Sequence, residues 1–227
     1  AMLEAHYAAP MIGAVLNPIN IRLDAPLIAF CLQHGGAKLL LADREFHASI
    51  APALARLGAS APIVVDIADA ETEGAPRFGS VEYEDFIADG DPAFATSGPE
   101  DEWDSICLLY TSGTTGLPKV AVRPGRAATE EARHYIETIG VTAEDTIAAV
   151  SPMCHAYAYG MCVMVPLLSG ARIVSMRSFQ ASRVFQALTH QRVSILPAVP
   201  AMLDVLMFGA GDRLRGAVRT VLSAGSP

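Results

Sequence analysis

The segment at positions 110–119, Tyr-Thr-Ser-Gly-Thr-Thr-Gly-Leu-Pro-Lys, carries glycines, hydroxyl side chains and a lysine within ten residues. Its glycines let backbone N–H groups come close to an anion, because no Cβ blocks the approach. Its hydroxyl side chains add hydrogen-bond donors, and its lysine adds a mobile cation. A surface turn rich in glycine and threonine is the simpler interpretation, but it leaves the combination unexplained. The segment therefore predicts a polyphosphate-binding loop made by Thr111, Ser112, Gly113, Thr114, Thr115, Gly116 and Lys119.

The spacing within this loop excludes the best-known phosphate motif. A Walker loop reads G-x-x-x-x-G-K-[ST] and begins a helix. Counted from Gly113, the second glycine would fall at Pro118, and Val120 follows the lysine where Ser or Thr is needed. The apolar residues 105–109 and the alternating residues 119–123 predict a short strand on each side. We therefore expect the loop to join two strands, which argues against a P-loop kinase or GTPase.

Residues 110–119 resemble the phosphate-loop signature of adenylate-forming enzymes, a superfamily that contains acyl-CoA synthetases, peptide-synthetase adenylation domains and beetle luciferases. Residues 11–23 resemble the segment that precedes this loop, residues 151–155 a Pro-x-x-His-type segment, and residues 221–227 a strand and turn beside the nucleotide. Together these similarities extend over nearly the whole chain. They imply part of the N-terminal domain of an acyl-CoA synthetase-like enzyme.

The resemblance implies a reaction in which a carboxylate attacks the α-phosphate of ATP, pyrophosphate leaves and an acyl-adenylate forms. Thiolysis by coenzyme A commonly follows in this family. Lys119 and Mg²⁺ would offset the developing negative charge, with Thr115 as an indirect contact to the metal. By resemblance His155 borders the acyl pocket and contacts the substrate carboxylate or the α-phosphate. Further pocket residues, for adenine or the acyl group, are Tyr157, Gly225, Ser226 and Pro227.

Residue types that are absent from particular segments indicate the class of substrate and bear on the alternative functions. Amino-acid-activating relatives usually present an aspartate within the stretch that corresponds to residues 153–161, and this stretch contains no acidic residue. A small carboxylic acid with a neutral tail therefore suits the pocket better than an amino acid. A non-catalytic nucleotide- or acyl-binding module remains an alternative. A dinucleotide-dependent oxidoreductase lacks G-x-G-x-x-G after a strand.

The predicted strands and helices that surround these residues alternate along the chain. Apolar strands that alternate with helices predict an α/β fold of layered sheets covered by helices. We expect a first portion over residues 1–100, a linker near 90–101, and a second portion over 102–227 that carries the loop and the acyl pocket. Particular expectations are a strand at Ile12–Leu16, a buried helix over 157–168 and an amphipathic helix at Ala181–His190. The remaining histidines, among them His34 and His190, are expected on the surface or at helix ends.

Composition narrows the function class. The net charge of −8 over 227 residues argues against a nucleic-acid surface. The longest apolar stretch, residues 156–168, is too short for a transmembrane segment. The cysteines have no metal-site spacing and predict reduced thiols in a cytoplasmic protein; they are Cys31, Cys107, Cys154 and Cys162. Strand edges left open by an incomplete sheet could pair with a second copy as a homo-oligomer, and the sequence leaves the oligomeric state open.

The family resemblance also implies that other catalytic parts are needed. Relatives carry a Tyr-Gly-x-Thr-Glu segment, an aspartate for the ribose and a lysine on a mobile C-terminal domain, and residues 1–227 contain none of these. We therefore expect the chain to be an incomplete N-terminal domain, without the C-terminal domain and inactive by itself.

Overall fold

The structure of the chain, a computed structural model, describes residues 1–70, 72, 74–111, 118–210 and 218–225, with Ala210 described in its backbone only. The chain divides into two compact units, Ala1–Arg123 and Pro124–Pro227. The two strands that flank the glycine-rich segment, Ser105–Thr111 and Lys119–Pro124, lie in the first unit apart from Pro124. Parallel sheets flanked by helices confirm the predicted α/β class.

The first unit contains a three-stranded parallel sheet in the order β1-β2-β3 and a two-stranded sheet of β4 and β5. Its elements in chain order are α1 Met2–Met11, α2 Ala25–His34, β1 Leu39–Asp43, α3 His47–Leu57, β2 Ile63–Ile67, β3 Val81–Glu82, α4 Tyr83–Ala88, β4 Ser105–Thr111 and β5 Lys119–Pro124. Strands β4 and β5 lie where the sequence predicted the two strands that flank the loop.

Helix α2 shows how local sequence sets the ends of an element in this unit. The Asp24 carboxylate accepts a hydrogen bond of 3.0 Å from the Leu27 N–H, which satisfies one of the unpaired donors at the helix start. The helix ends at His34 and is followed by Gly35. Its buried face, which includes Ile28 and Leu32, packs against α3 and forms a small hydrophobic core.

The expected strand at Ile12–Leu16 is wrong. Helix α1 continues to Met11 and the chain then turns at Gly13, so only Leu16 reaches a neighbouring strand. The Leu16 N–H donates to the Ile106 carbonyl at 3.0 Å, and the Leu16 carbonyl accepts from the Leu108 N–H at 2.8 Å. This single parallel bridge replaces a strand. A short apolar run cannot reveal how many of its residues find a partner.

The second unit contains a four-stranded, all-parallel sheet in the order β7-β6-β8-β9. Its elements are α5 Gly125–Ile139, β6 Thr146–Ala149, α6 Ala156–Tyr159, a π-helical segment Gly160–Met164, α7 Val165–Ser169, β7 Arg172–Ser175, α8 Ala181–His190, β8 Ile195–Ala198, α9 Pro200–Ala210 and β9 Thr220–Ser223. The central strands β6 and β8 are buried at every position, as expected of strands covered on both faces.

The core of this unit confirms the predicted amphipathic helix α8. Its residues Val184 and Leu188 are buried against the central strands, and Phe185 packs at the edge of the same cluster. Burial of side chains of this size contributes on the order of 2 kcal/mol each, so α8 holds one face of the sheet in place. The helix expected over 157–168 is also present, but it is interrupted by the π-helical segment.

A buried carboxylate joins the amino-terminal ends of three strands in this unit. Asp145, directly before β6, accepts hydrogen bonds from the Ser194 hydroxyl at 2.7 Å and from Arg219 Nη2 at 2.8 Å. Burial by itself would raise the pKa of Asp145, but the hydrogen bonds from Ser194, Thr142 and Arg219, with the charge of Arg219, together hold that pKa below its ordinary value. The network therefore holds the amino-terminal ends of β6, β8 and β9 together.

Within the described ranges, none of the helices combines the length and the apolar character needed to cross a membrane.

Candidate active-site residues

Strands β4 and β5 hold the two ends of the glycine-rich segment together in the first unit. Thr111 ends β4 and Lys119 begins β5, and both are exposed. The Thr111 hydroxyl donates to the Lys119 carbonyl at 3.5 Å, so the structure brings these two predicted residues into contact. The other loop residues predicted to bind phosphate lie outside the described residues; they are Ser112, Gly113, Thr114, Thr115 and Gly116.

The strand order of the second unit reverses the direction of the chain connections between β6 and β8. The chain leaves β6 towards β7 on one side, and it leaves β8 towards β9 on the other side. Where neighbouring strands send their connections in opposite directions, an open α/β sheet forms a crevice that commonly binds ligands. The segment 150–155 begins at this point, which is where the sequence placed its second group of candidate residues.

His155 ends this segment and is the N-cap residue of helix α6. Its backbone is extended, with φ −99° and ψ 142°, and its side chain is exposed. The His155 N–H donates to the Pro152 carbonyl at 3.1 Å, and the His155 carbonyl accepts from the Tyr159 N–H at 2.8 Å. The backbone of His155 is thus held at both sides, which places an imidazole at the carboxyl edge of the sheet.

Tyr157 connects the segment after β6 with strand β9. Its hydroxyl donates to the Leu222 carbonyl at 2.9 Å, and the two residues are 65 positions apart in the sequence. Burial, the largest cause, raises the pKa of Tyr157 far above its ordinary value, so the side chain remains a neutral donor. The sequence predicted Tyr157 as a pocket residue but gave no signal for its partner, because a backbone carbonyl has no residue-type signature.

Gly225 follows β9 at the same edge. Its φ is +110°, and a Cβ at this position would lie 3.3 Å from Val199 Cγ1. A residue with a side chain would therefore be strained at this turn, which explains why glycine stands there. The two other predicted residues of this turn, Ser226 and Pro227, lie outside the described residues.

The π-helical segment behind Tyr157 is a feature that the sequence did not predict. It covers Gly160–Met164, and all five of its residues are buried. A Cβ on Gly160 would lie 3.3 Å from Glu131 Oε1 and 3.4 Å from Tyr135 Cε2 of helix α5. The glycine therefore lets α5 pack closely at this turn, and a glycine inside an otherwise apolar helical run was the only available signal.

The residues that the structure describes do not form a metal-binding cluster. No group of three or more His, Cys, Asp or Glu side chains within them could hold an ion. Thr115, the residue predicted to contact Mg²⁺ indirectly, lies outside the described ranges. The described side chains thus offer no protein cage for a metal ion.

Cys154 is adjacent to His155 but is not suited to be a nucleophile. The side chain is buried, and burial raises the pKa of its thiol to about 11. A thiolate is the nucleophilic form of cysteine, and burial of this kind suppresses it. Cys154 is therefore a packing residue, as the sequence suggested.

The family of AMP-binding enzymes matches the chain over residues 1–227. An acetate/butyrate–CoA ligase of Arabidopsis thaliana, named as peroxisomal, is 34% identical over 91% of this chain and 38% of its own length. An acetate–CoA ligase of Humulus lupulus is 36% identical, with the same coverage of 91% and 38%. The chain thus spans about two fifths of the length of the curated relatives that it matches.

Solved structures are similar to this chain in fold. The acyl-CoA synthetase of Brucella canis superposes with a TM-score of 0.85 at 21% identity, covering 100% of this chain and 41% of that one. The inhibitor-bound N-terminal domain of FACL13 from Mycobacterium tuberculosis superposes with a TM-score of 0.76 at 27% identity, covering 98% and 53%.

Proposed function

Because this chain belongs to the AMP-binding enzyme family over residues 1–227, we propose that the full-length gene product is an ATP-dependent acid–thiol ligase. In its first half-reaction a carboxylate oxygen of the substrate bonds to the α-phosphorus of ATP, and the bond to the leaving pyrophosphate breaks. In its second half-reaction the thiol of coenzyme A bonds to the acyl carbon, and AMP leaves. The products are an acyl-CoA thioester, AMP and pyrophosphate.

The residues of this chain would act mainly by position and charge. Lys119, exposed at the start of β5, would offset the negative charge that develops on the pyrophosphate. Thr111 and the hydroxyls and backbone N–H groups that follow it would hold the phosphate oxygens. His155 would donate a hydrogen bond to the substrate carboxylate or to the α-phosphate. The glycine-rich segment between β4 and β5, in a chain matched throughout by this family, is the observation that carries the proposal.

A small monocarboxylic acid with a neutral tail is the proposed substrate. Residues 153–161 contain no acidic side chain that would pair with the ammonium group of an amino acid. Relatives are named for acetate or butyrate, for 2-methylpropanoate and for benzoate. These names support a search among short aliphatic and small aromatic acids.

Several expectations remain predictions. They are a role for Mg²⁺, a cytoplasmic location, assembly as a homo-oligomer and inactivity of residues 1–227 alone. Some of the relatives are named as peroxisomal, so the compartment needs its own measurement.

The full-length gene product, mixed with ATP, MgCl₂ and one acid at a time, tests the proposal. We expect pyrophosphate release that depends on the acid, and acyl-CoA formation when coenzyme A is added. ATP binding without turnover of any acid in a panel of short aliphatic, benzoic and cinnamic acids would favour the non-catalytic binding module instead.

A further inference from the structure

The residue directly before Thr111 is held by the end of a distant helix. Tyr110, the penultimate residue of β4, lies against His34, the last residue of α2. The Tyr110 hydroxyl oxygen is 2.9 Å from His34 Nδ1, although the two residues are 76 positions apart. The rings meet edge to face with centroids 5.9 Å apart, and Phe30 stacks on His34 with centroids at 5.1 Å.

This hydrogen bond can form in either protonation state of the histidine. When Nδ1 carries no proton, the Tyr110 hydroxyl donates to it. When the imidazole is protonated, Nδ1–H donates to Tyr110, and the phenolic proton turns to the Cys31 carbonyl, which lies 3.5 Å away. Burial raises the pKa of Tyr110, so its hydroxyl keeps its proton throughout. The hydrogen bond between His34 and Tyr110 therefore does not depend on the charge of the imidazole.

The end of helix α2 is itself closely packed, which makes it a firm support. The Asn17 amide donates to the Cys31 carbonyl at 3.1 Å. A Cβ on Gly35 would lie 2.6 Å from Asn17 Nδ2 and 2.9 Å from the Cys31 carbonyl oxygen, and such contacts are too short to exist. Only glycine leaves room for Asn17 and Tyr110 to reach the same carbonyl group.

The position of His34 is not what hydrophobic packing requires. Its side chain is exposed, while the residues that form the core of α2, such as Ile28 and Leu32, lie on the buried face. An exposed imidazole contributes little apolar burial. It shares a hydrogen bond with Tyr110, meets the ring of Tyr110 edge to face and stacks on the ring of Phe30. The His34 side chain thus acts mainly on the end of β4, which leads into the glycine-rich segment.

We propose that His34 is a positioning residue for nucleotide binding: by holding Tyr110 it fixes the end of β4 and the direction in which Thr111 enters the phosphate-binding segment. This inference rests on the proposed function, because it takes residues 111–119 to bind the phosphates of ATP. The role needs the hydrogen bond from the Nδ1 position, and it does not need the charge of the imidazole.

The test compares variants of the full-length gene product by calorimetric titration with ATP and by steady-state kinetics. His34→Ala and Tyr110→Phe should each raise the Kd for ATP by about three- to tenfold, the effect of one net hydrogen bond. The double variant should be no weaker than either single variant, because both remove the same bond. The KM for the carboxylic acid should not change.

Two further variants separate positioning from general stability. His34→Asn keeps a polar atom near the Nδ1 position and should restore the Kd for ATP to within about twofold of wild type, judged against the same hydrogen-bond scale. His190→Ala removes an exposed histidine that also ends a helix, α8, and should leave the Kd unchanged. An unchanged Kd in His34→Ala would overturn the inference. So would an equal loss of ATP affinity in His34→Asn and His34→Ala.

The same experiment distinguishes this inference from the proposed function. A wild-type protein that binds ATP but releases no pyrophosphate with any acid overturns the ligase proposal only, and the comparison of Kd values still decides the role of His34. A wild-type protein that does not bind ATP overturns both.

Discussion

The Tyr157 hydroxyl donates a hydrogen bond of 2.9 Å to the Leu222 carbonyl of β9, and so the segment that follows β6 is tied to an edge of the sheet. Strand β8 lies between β6 and β9, so this bond spans the carboxyl ends of three strands. His155 is the N-cap residue of the short helix that contains Tyr157. The position of His155 therefore depends on a contact that forms only when β9 has joined the sheet.

Replacement of Tyr157 by Phe should weaken this tie without removing the ring. Loss of one hydrogen bond to a backbone carbonyl costs about 1 kcal/mol of stability, and more when the carbonyl is left buried. We expect a small fall in the thermal midpoint of the full-length protein and a larger rise in KM for the acid than for ATP. Tyr157→Ala should lower the midpoint much further, because it also removes the ring. An unchanged midpoint in both variants would contradict the role of this contact.

Replacement of Lys119 by Ala should reduce pyrophosphate release. A cation that stabilises charge developing on a leaving group commonly contributes a factor of about 100 or more to the rate. We expect kcat to fall more than the affinity for the acid, and ATP binding to weaken further when Thr115→Val is added. Stopped-time pyrophosphate assays and calorimetric titration measure the two effects.

The chain offers a matched control for Lys119. Lys38 is its other lysine and is also exposed in the first unit. Lys38→Ala removes the same charge and should leave kcat and ATP affinity unchanged. If the variant Lys119→Ala with Thr115→Val binds ATP as well as wild type, residues 111–119 do not hold the phosphates.

Replacement of Asp145 by Asn should destabilise the second unit at neutral pH. Its carboxylate accepts hydrogen bonds from Ser194 and Arg219, and hydrogen bonds to charged groups contribute about 2 kcal/mol each. We expect a lower urea midpoint for Asp145→Asn. Asp204→Asn, which changes an exposed aspartate of α9, should leave the midpoint unchanged.

The effect of Asp145 should also depend on pH. Its pKa is lower in the folded protein than its ordinary value of 3.8, so its contribution to stability is present above that value. The contribution is lost as the pH falls below 3.8 through the lowered folded pKa, because the carboxyl group then takes up a proton. The difference in midpoint between wild type and Asp145→Asn should therefore shrink on acidification. A difference that is constant between neutral pH and pH 3 would contradict this linkage.

The four cysteines of this chain should resist alkylation in the folded protein. All four are buried and free. Burial raises the pKa of Cys31 and Cys154 to about 11 and that of Cys107 and Cys162 to about 12, so the thiolate is scarce at pH 8. We expect iodoacetamide to modify them only after unfolding in urea, as mapped by peptide mass spectrometry. Rapid modification of Cys154 in the native protein would contradict its assignment as a packing residue.

Patterns that lie within a few residues of one another predicted most of the elements. The helix Ala181–His190 was predicted with its bounds and its buried face, because Val184 and Leu188 recur at helical spacing. The strands on either side of the glycine-rich segment were predicted because their apolar residues are consecutive or alternate. The strand expected at Ile12–Leu16 is absent although the run is apolar, because only Leu16 pairs with a strand residue, Cys107.

From the sequence, residues 110–119 are predicted to bind a polyphosphate, because donors, glycines and a lysine within ten positions suit an anion whatever surrounds them. The sequence also predicted the α/β class, because each strand and each helix has a hydrophobic pattern within its own residues. The contacts of Tyr157 with the Leu222 carbonyl and of Tyr110 with His34 exist only in the folded chain. These partners are 65 and 76 residues apart, and one of them is a backbone atom, so no local pattern encodes them. Strand order and helix packing bring them together, and both are properties of the whole folded unit.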